Sequence, residues 1–305
     1  MHIHRILTLT AFGLGLSAPG LLTPDASNAV AHAQDARQRE MYVSVLNESG
    51  APVTDLKADE FIVREDGVRR EVLRAEKATD PIDLAIVVDN SRAAVSAIRD
   101  IRVALEAFVR GMVAKNSLAL VTIGERPVVV VNYTQETAPL EKGVERIFSI
   151  PDSGAYLLDG LIEVVKGLRP REAPRKAIVA ITTEGPEFSN RYYEAVLQPL
   201  RESGAALHVL VLVGLGGGDM TSDEARNRNL VISLGTQATG GRWENLLSSM
   251  SLETNLKQLA TELANQYRLV YARPESLIPP TKVEVAITRP DLVARGTPVR
   301  TRPPA

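Results

Sequence analysis

Few side chains in this sequence can do chemistry, and their types narrow the options quickly. The 305 residues include no cysteine, which removes thiol nucleophiles, cysteine-bound zinc and iron–sulfur clusters. The histidines are His2, His4, His32 and His208, and the first three fall in a segment expected to be cleaved off. His208 lies inside an apolar run, where it reads as a core residue rather than a general base. With His208 read as core, the expected mature chain has no other histidine to serve a Ser–His–Asp triad or a histidine-rich zinc site. What remains is oxygen chemistry, concentrated in three stretches: Asp89-Asn90-Ser91-Arg92-Ala93, Ser153 to Asp159, and Thr182-Thr183-Glu184-Gly185-Pro186-Glu187. Asp89 and Glu184 could form the carboxylate pair of a glycoside hydrolase. A sugar cleft is rich in aromatic rings, however, and aromatics make up only 4% here. Leu212 to Asp219 is glycine-rich but lacks both the Gly-Lys-Ser/Thr of a P-loop and the G-x-G-x-x-G spacing. It is expected to be a flexible connection rather than a phosphate cradle.

These stretches matter only if the fold brings them together. Ile82 to Val88 is an almost continuous apolar run ending at Asp89. Such a strand is covered on both faces, as in a parallel sheet between helices. Ala94, Ile98, Ile101, Leu105, Phe108 and Met112 repeat at spacings of four and three and predict a helix from near Ala93. Further strands are expected at 118–123, 128–133, 177–182, 207–213, 240–243 and 267–271. Helices are expected at 140–148, 157–168, 192–203, 222–238 and 252–263. Alternation of this kind predicts an α/β, doubly wound, Rossmann-like and mostly parallel sheet over residues 80–273. Ligands of such a sheet sit beyond the carboxyl ends of its strands, where the three oxygen-rich stretches fall. Residues 41–78 alternate differently, with an Asp66-Gly67 hairpin signal, and predict a small antiparallel β unit. Residues 281–296 hold a late strand expected to pair with it, so the β appendage comes from both chain ends; 297–305 is expected to fray.

The N-terminus has a basic start, an apolar stretch from Ile6 to Leu22 and the small-x-small sequence Ala31-His32-Ala33. This is the pattern of a signal peptide spanning 1–33, cleaved after Ala33. Gly13, Gly15 and Pro19 interrupt the apolar run, which argues against a membrane anchor. The mature chain is thus expected to be extracytoplasmic, periplasmic or secreted, without a membrane span. A formal net charge of −2 offers no footprint for nucleic acid.

The ordered set of motifs resembles the von Willebrand factor type A family, and secreted bacterial members of it in particular. Val53-Thr54-Asp55-Leu56, Asp59-Glu60-Phe61 and Glu65-Asp66-Gly67 resemble the entry segment of those bacterial members. Asp89 and Ser91 match the start of the metal-ion-dependent adhesion motif D-x-S-x-S. Thr183-Glu184-Gly185 resembles its T-D-G loop, Thr239-Gly240-Gly241 its T-G-G turn, and Tyr267 to Tyr271 with Lys282 to Val285 its closing segment. The resemblance implies an oxygen-ligated Mg²⁺ or Mn²⁺ site built on Asp89, Ser91 and Glu184. Alanine replaces the two other implied hydroxyl ligands, at Ala93 and Ala155. The expectation is therefore a degenerate site that requires no cofactor and binds such an ion only weakly. Asp89 and Ser91 would then cap the following helix, and Asp159 would face the positive end of its own.

The functional expectation is a non-enzymatic module that binds another protein through Asn90, Arg92, Tyr156, Glu187, Phe188, Tyr192 and Tyr193. For the aromatics of this set, packing at a helix start and an exposed interface patch stay equally open. A metal-dependent adhesion domain is the alternative, and a carboxylate hydrolase the lesser one.

Overall fold

In the computed structural model, residues 38–218, 221–274 and 280–299 are described. The expected signal segment 1–33 lies outside them. The central sheet has the order β10-β9-β8-β5-β6-β7. Its strands are β5 (Ile82–Val88), β6 (Ser117–Thr122), β7 (Val128–Thr134), β8 (Arg175–Thr183), β9 (Ala205–Leu212) and β10 (Trp243–Leu246). All neighbours pair in parallel except β6 and β7. Period-two geometry sends alternate residues of β5 to opposite faces. Leu84, Ile86 and Val88 join a core with α1 (Ile98–Val113), α2 (Thr137–Glu145) and α6 (Leu252–Ala264). Ala85 and Val87 join the other core, with α3 (Leu157–Leu168), α4 (Tyr193–Ser203) and α5 (Asp223–Thr239). Burial on both faces is why the sequence of β5 is an unbroken apolar run. The architecture is thus the expected doubly wound, mostly parallel α/β sheet with a β appendage.

The appendage is larger than expected. Strands β1 (Gln38–Leu46), β4 (Val72–Lys77), β11 (Tyr267–Ala272) and β13 (Val293–Pro298) form one antiparallel sheet, ordered β13-β1-β11-β4. Strands β2 (Phe61–Glu65), β3 (Val68–Arg70) and β12 (Val283–Ile287) form a second, ordered β12-β2-β3. They share a core of Met41, Val43, Phe61, Val63, Leu269 and Tyr271. Asp66 and Gly67 both take positive φ, as the hairpin signal requires.

The structure moves four boundaries. The return strand expected over 68–73 is broken at Glu71, so β3 and β4 lie in different sheets. The strand at 267–271, expected within the α/β region, is β11 and pairs antiparallel with β1 and β4. The strand expected at 240–243 starts later, as β10, because Gly240 and Gly241 form the turn that leads into it. Thr297, expected in a fraying tail, is buried in β13, and its hydroxyl donates to the Thr239 carbonyl.

Candidate functional site

Asp89 follows the last residue of β5 and is fully buried. Its carboxylate is an acceptor for three donors. Oδ1 takes the Ser91 N–H at 2.8 Å, while Oδ2 takes the Thr183 N–H at 3.1 Å and the Thr183 hydroxyl at 2.7 Å. The carboxyl ends of β5 and β8 are thereby clamped together. Asn90 works in the other direction: its side-chain oxygen accepts from Gly124 N–H at 2.8 Å and its amide donates to Phe148 O at 2.9 Å. Asn90 is therefore a buried strut and not the surface contact expected of it. It satisfies loop backbone groups that no ladder reaches. The capping expectation also fails. A 3-10 turn at Arg92–Ala94 intervenes, α1 starts only at Ile98, and its N-cap is Ala97. The Ser91 carbonyl is occupied by Ala94 N–H and the Ser149 hydroxyl instead.

The second and third loops are joined through the backbone. Ala155 N–H donates to Pro186 O and Ala155 O accepts from Phe188 N–H, both at 2.8 Å. Glu187, another expected partner contact, is buried by this junction. Its carboxylate accepts the Ser189 N–H at 3.2 Å and the Leu157 N–H at 3.3 Å, so it serves the free N-terminal donors of α3. Burial pushes its carboxyl up to about 7, against the lowering pull of Ser189, Arg228 and Leu157. Asp159 stands in the first turn of α3, as expected, and accepts from Arg191 at 2.7 Å.

The cation site implied by the resemblance does not fit these side chains. The Ala93 methyl fills the space that a ligand hydroxyl would need, with Gly185 and Gly216 packed so closely on it that a Cβ on either would collide. Gly216 also has φ +87, which only glycine adopts readily. A Cβ on Gly218 would likewise collide with the 184–185 backbone, so the glycine-rich connection is packed closely over the loops. Glu184 turns toward that connection, with Oε2 accepting the Gly214 N–H at 2.8 Å. Asp89 is committed to β8, and Ala155 contributes a buried methyl. The Ser91 hydroxyl is buried without a hydrogen-bond partner. Among the described residues no three His, Asp or Glu side chains are grouped as a metal ion needs. Beneath the 183–185 backbone lies a residue that sequence reasoning missed, the buried Arg228 of α5. Its Nη1 donates to Gly185 O at 2.8 Å.

The aromatic residues divide. Tyr192 is 77% exposed, Phe188 is exposed and stands edge-on to Tyr156 at 6.0 Å, and Tyr193 packs partly against the core beneath α4. The exposed Arg92 side chain reaches Asp152 at 3.4 Å. Val95, Phe148, Leu247 and Met250 are exposed at the same edge and were not singled out by sequence reasoning. Scattered in sequence, they carry no local signal.

No protein-family model and no curated protein matches the sequence. Solved structures are similar to it. One is the vWF domain of the type V pili tip protein Mfa5 from Porphyromonas gingivalis, with 12% identity over 61% of this chain and 96% of that one, at a TM-score of 0.45. A von Willebrand factor type A protein from Catenulispora acidiphila is 9% identical over 86% of this chain and 74% of that one, at 0.46. The PilB minor pilin from Streptococcus sanguinis, solved as a mutant, is 12% identical over 61% of this chain, at 0.46. The match spans 62% of that pilin's length.

Proposed function

We propose that the protein is an extracytoplasmic, non-enzymatic binding module of the von Willebrand factor type A kind. It engages another protein through the carboxyl edge of its central sheet, and its degenerate cation site needs no metal. One observation carries this reading: exposed apolar side chains collect on that edge. Val95 follows β5, Phe188 and Tyr192 follow β8, Leu247 and Met250 follow β10, and Phe148 lies against the loop after β5. Leu247 is 91% and Met250 80% exposed. Elsewhere on the α/β region such residues are fewer: Val103 on α1, Leu234 on α5, Trp243 at the opposite end of β10, and the neighbouring Val128 and Val129 on the antiparallel edge strand β7. Exposed apolar groups gathered on one surface, unlike those scattered singly, mark interaction sites. The expected signal peptide supplies the compartment, and among the described residues no helix is long and apolar enough to cross a membrane. A hydrolase reading gains no support, because Asp89 is buried with both carboxylate oxygens engaged.

The test is site-specific photo-crosslinking in cells that make the full chain. A photoreactive residue at Phe188, Tyr192 or Leu247 is expected to capture one and the same protein, with or without EDTA. The same group at Trp243 or Leu73 is expected to capture none of it. Equal capture at both sets of positions would sink the edge as the binding surface.

The metal-dependent alternative is favoured by one observation, the unpartnered Ser91 hydroxyl. A thermal melt decides it. An ion at about 100 times its dissociation constant adds roughly 2.7 kcal/mol of stability. The expected result is no change in Tm between EDTA and millimolar Mg²⁺ or Mn²⁺, with Asp89→Ala losing stability equally in each.

A further inference from the structure

The largest fully buried side chain in the described structure is a charged one, Arg228. Taking a guanidinium out of water is costly unless hydrogen bonds and opposite charges compensate it. Both are present. Nη1 donates to Gly185 O at 2.8 Å and to Thr183 O at 3.5 Å, and Nε donates to Asn229 Oδ1 at 3.2 Å. Burial pulls its pKa down, while Glu187, Glu184 and Asp89 favour the charged form. Those three carboxylates belong to the loops after β5 and β8, and Asp89 and Glu187 are themselves buried. Negative charges gathered at one sheet edge need a nearby cation. A planar guanidinium suits the place, because its five donors can hold carbonyls and still face carboxylates.

We propose that Arg228 is the built-in cation of this sheet edge: a positioning residue that balances the loop carboxylates and fixes the 183–185 backbone, where a divalent ion would otherwise do both. The inference deepens the metal-free reading above and rests on it. The residue arrives from α5, a helix of the second core, so the charge cannot be stripped by a chelator. The edge that carries Phe188 and Tyr192 is thus held in one shape whatever the ionic conditions.

A double-mutant cycle on the full chain tests this, at a pH above the Glu187 value of about 7. Arg228→Met is expected to lower Tm by roughly 10 °C. Adding Glu187→Gln should restore at least half of that loss, because the carboxylate left uncompensated is gone. Arg228→Lys, which keeps charge without the fork, should fall between wild type and Arg228→Met. Losses that simply add would overturn the proposal and leave Arg228 as packing alone. If Arg228→Met yields no folded protein, the double variant decides: recovery of a cooperative melt supports the role, and failure to recover overturns it. A wild-type Tm that EDTA lowers would instead sink the metal-free reading, independently of the cycle.

Discussion

At the scale of single residues, Glu187 carries a consequence for pH. Its carboxyl is raised from 4.5 to about 7, chiefly by burial. A raised acid favours folding while protonated, so this contribution is full below about 4.5 and is lost as pH climbs through 7. His208 acts oppositely. Burial lowers it from 6.5 to about 4, so its contribution is present above 6.5 and is lost as pH falls toward 4. Between about 4.5 and 6.5 the two slopes oppose, and wild type is expected to melt at nearly constant temperature there and to lose stability toward pH 7. Glu187→Gln removes one slope. Its Tm should rise from pH 4.5 to 6.5 and then hold level to pH 8, reflecting a stabilisation on the order of 3 kcal/mol at most. A variant that tracks wild type across this range would show that Glu187 is ionised in the fold at little cost. The burial of His208 was legible in the apolar run around it; that of Glu187, read as a surface contact, was not. Asp89, Ser91 and Glu184 could be singled out by type and spacing, but burial is set by partners distant in the chain. Thr183 sits 94 positions from the Asp89 carboxylate that it binds, and Arg228 is 43 positions from its Gly185 acceptor.

At the scale of elements, periodicity reported strand or helix well and pairing partners poorly. The apolar run of β5 could only be a doubly covered strand. The segment at Tyr267 was equally visible as a strand, yet its sheet was misjudged. Its Tyr267, Leu269 and Tyr271 share one face and point into the sandwich core, while Arg268 and the buried Val270 share the other, which is covered only in part. Adjacency to α6 in sequence suggested the central sheet instead. Glycines show the same division between local and non-local information. Gly240 and Gly241 lie in the turn between α5 and β10, and a Cβ on Gly241 would collide with the Leu207 carbonyl of β9. That backbone cannot retreat without losing the Val209 N–H to Arg242 O bond at 2.9 Å. Gly241→Ala should therefore cost at least the roughly 1–3 kcal/mol typical of overpacking. Gly111, inside α1, has open space where a Cβ would go. Gly111→Ala should stabilise by about 0.5–1 kcal/mol through helix propensity. Chemical denaturation of both variants checks the pair; two changes of the same sign would refute this account of the turn.

At the scale of the whole molecule, the α/β region and the β-sandwich share their fastenings. Arg175 at the start of β8 donates to Asp80 O, Leu263 O and Gln266 Oε1, and Gln266 in turn donates to Ser44 of β1. Beside Leu263 in α6, buried Glu262 accepts from Arg295 of β13 at 2.7 Å and faces Arg242 before β10 at 3.2 Å. These are desolvated charges, and removing one partner of such a pair costs about 3–5 kcal/mol. The chain path strengthens the coupling, since β1 to β4 precede the central sheet and β11 to β13 follow it. From Gln38 onward the chain is one compact unit, so unfolding should be one transition. The single tryptophan, Trp243, reports the central sheet, and three of the seven tyrosines, Tyr42, Tyr267 and Tyr271, lie in the sandwich. Tryptophan fluorescence, near-ultraviolet tyrosine signal and far-ultraviolet circular dichroism should give coincident midpoints. Ending the chain after residue 280 removes β12 and β13, strips Val283, Val285 and Ile287 from the sandwich core and leaves Glu262 without Arg295. If the layers are coupled as these contacts require, the tryptophan midpoint falls together with the tyrosine midpoint, by roughly 10 °C or more. A truncated chain whose tryptophan transition stays at the wild-type temperature would mean that the central sheet folds alone. The T-G-G turn and the Glu262 cluster would then be contacts between two independent domains.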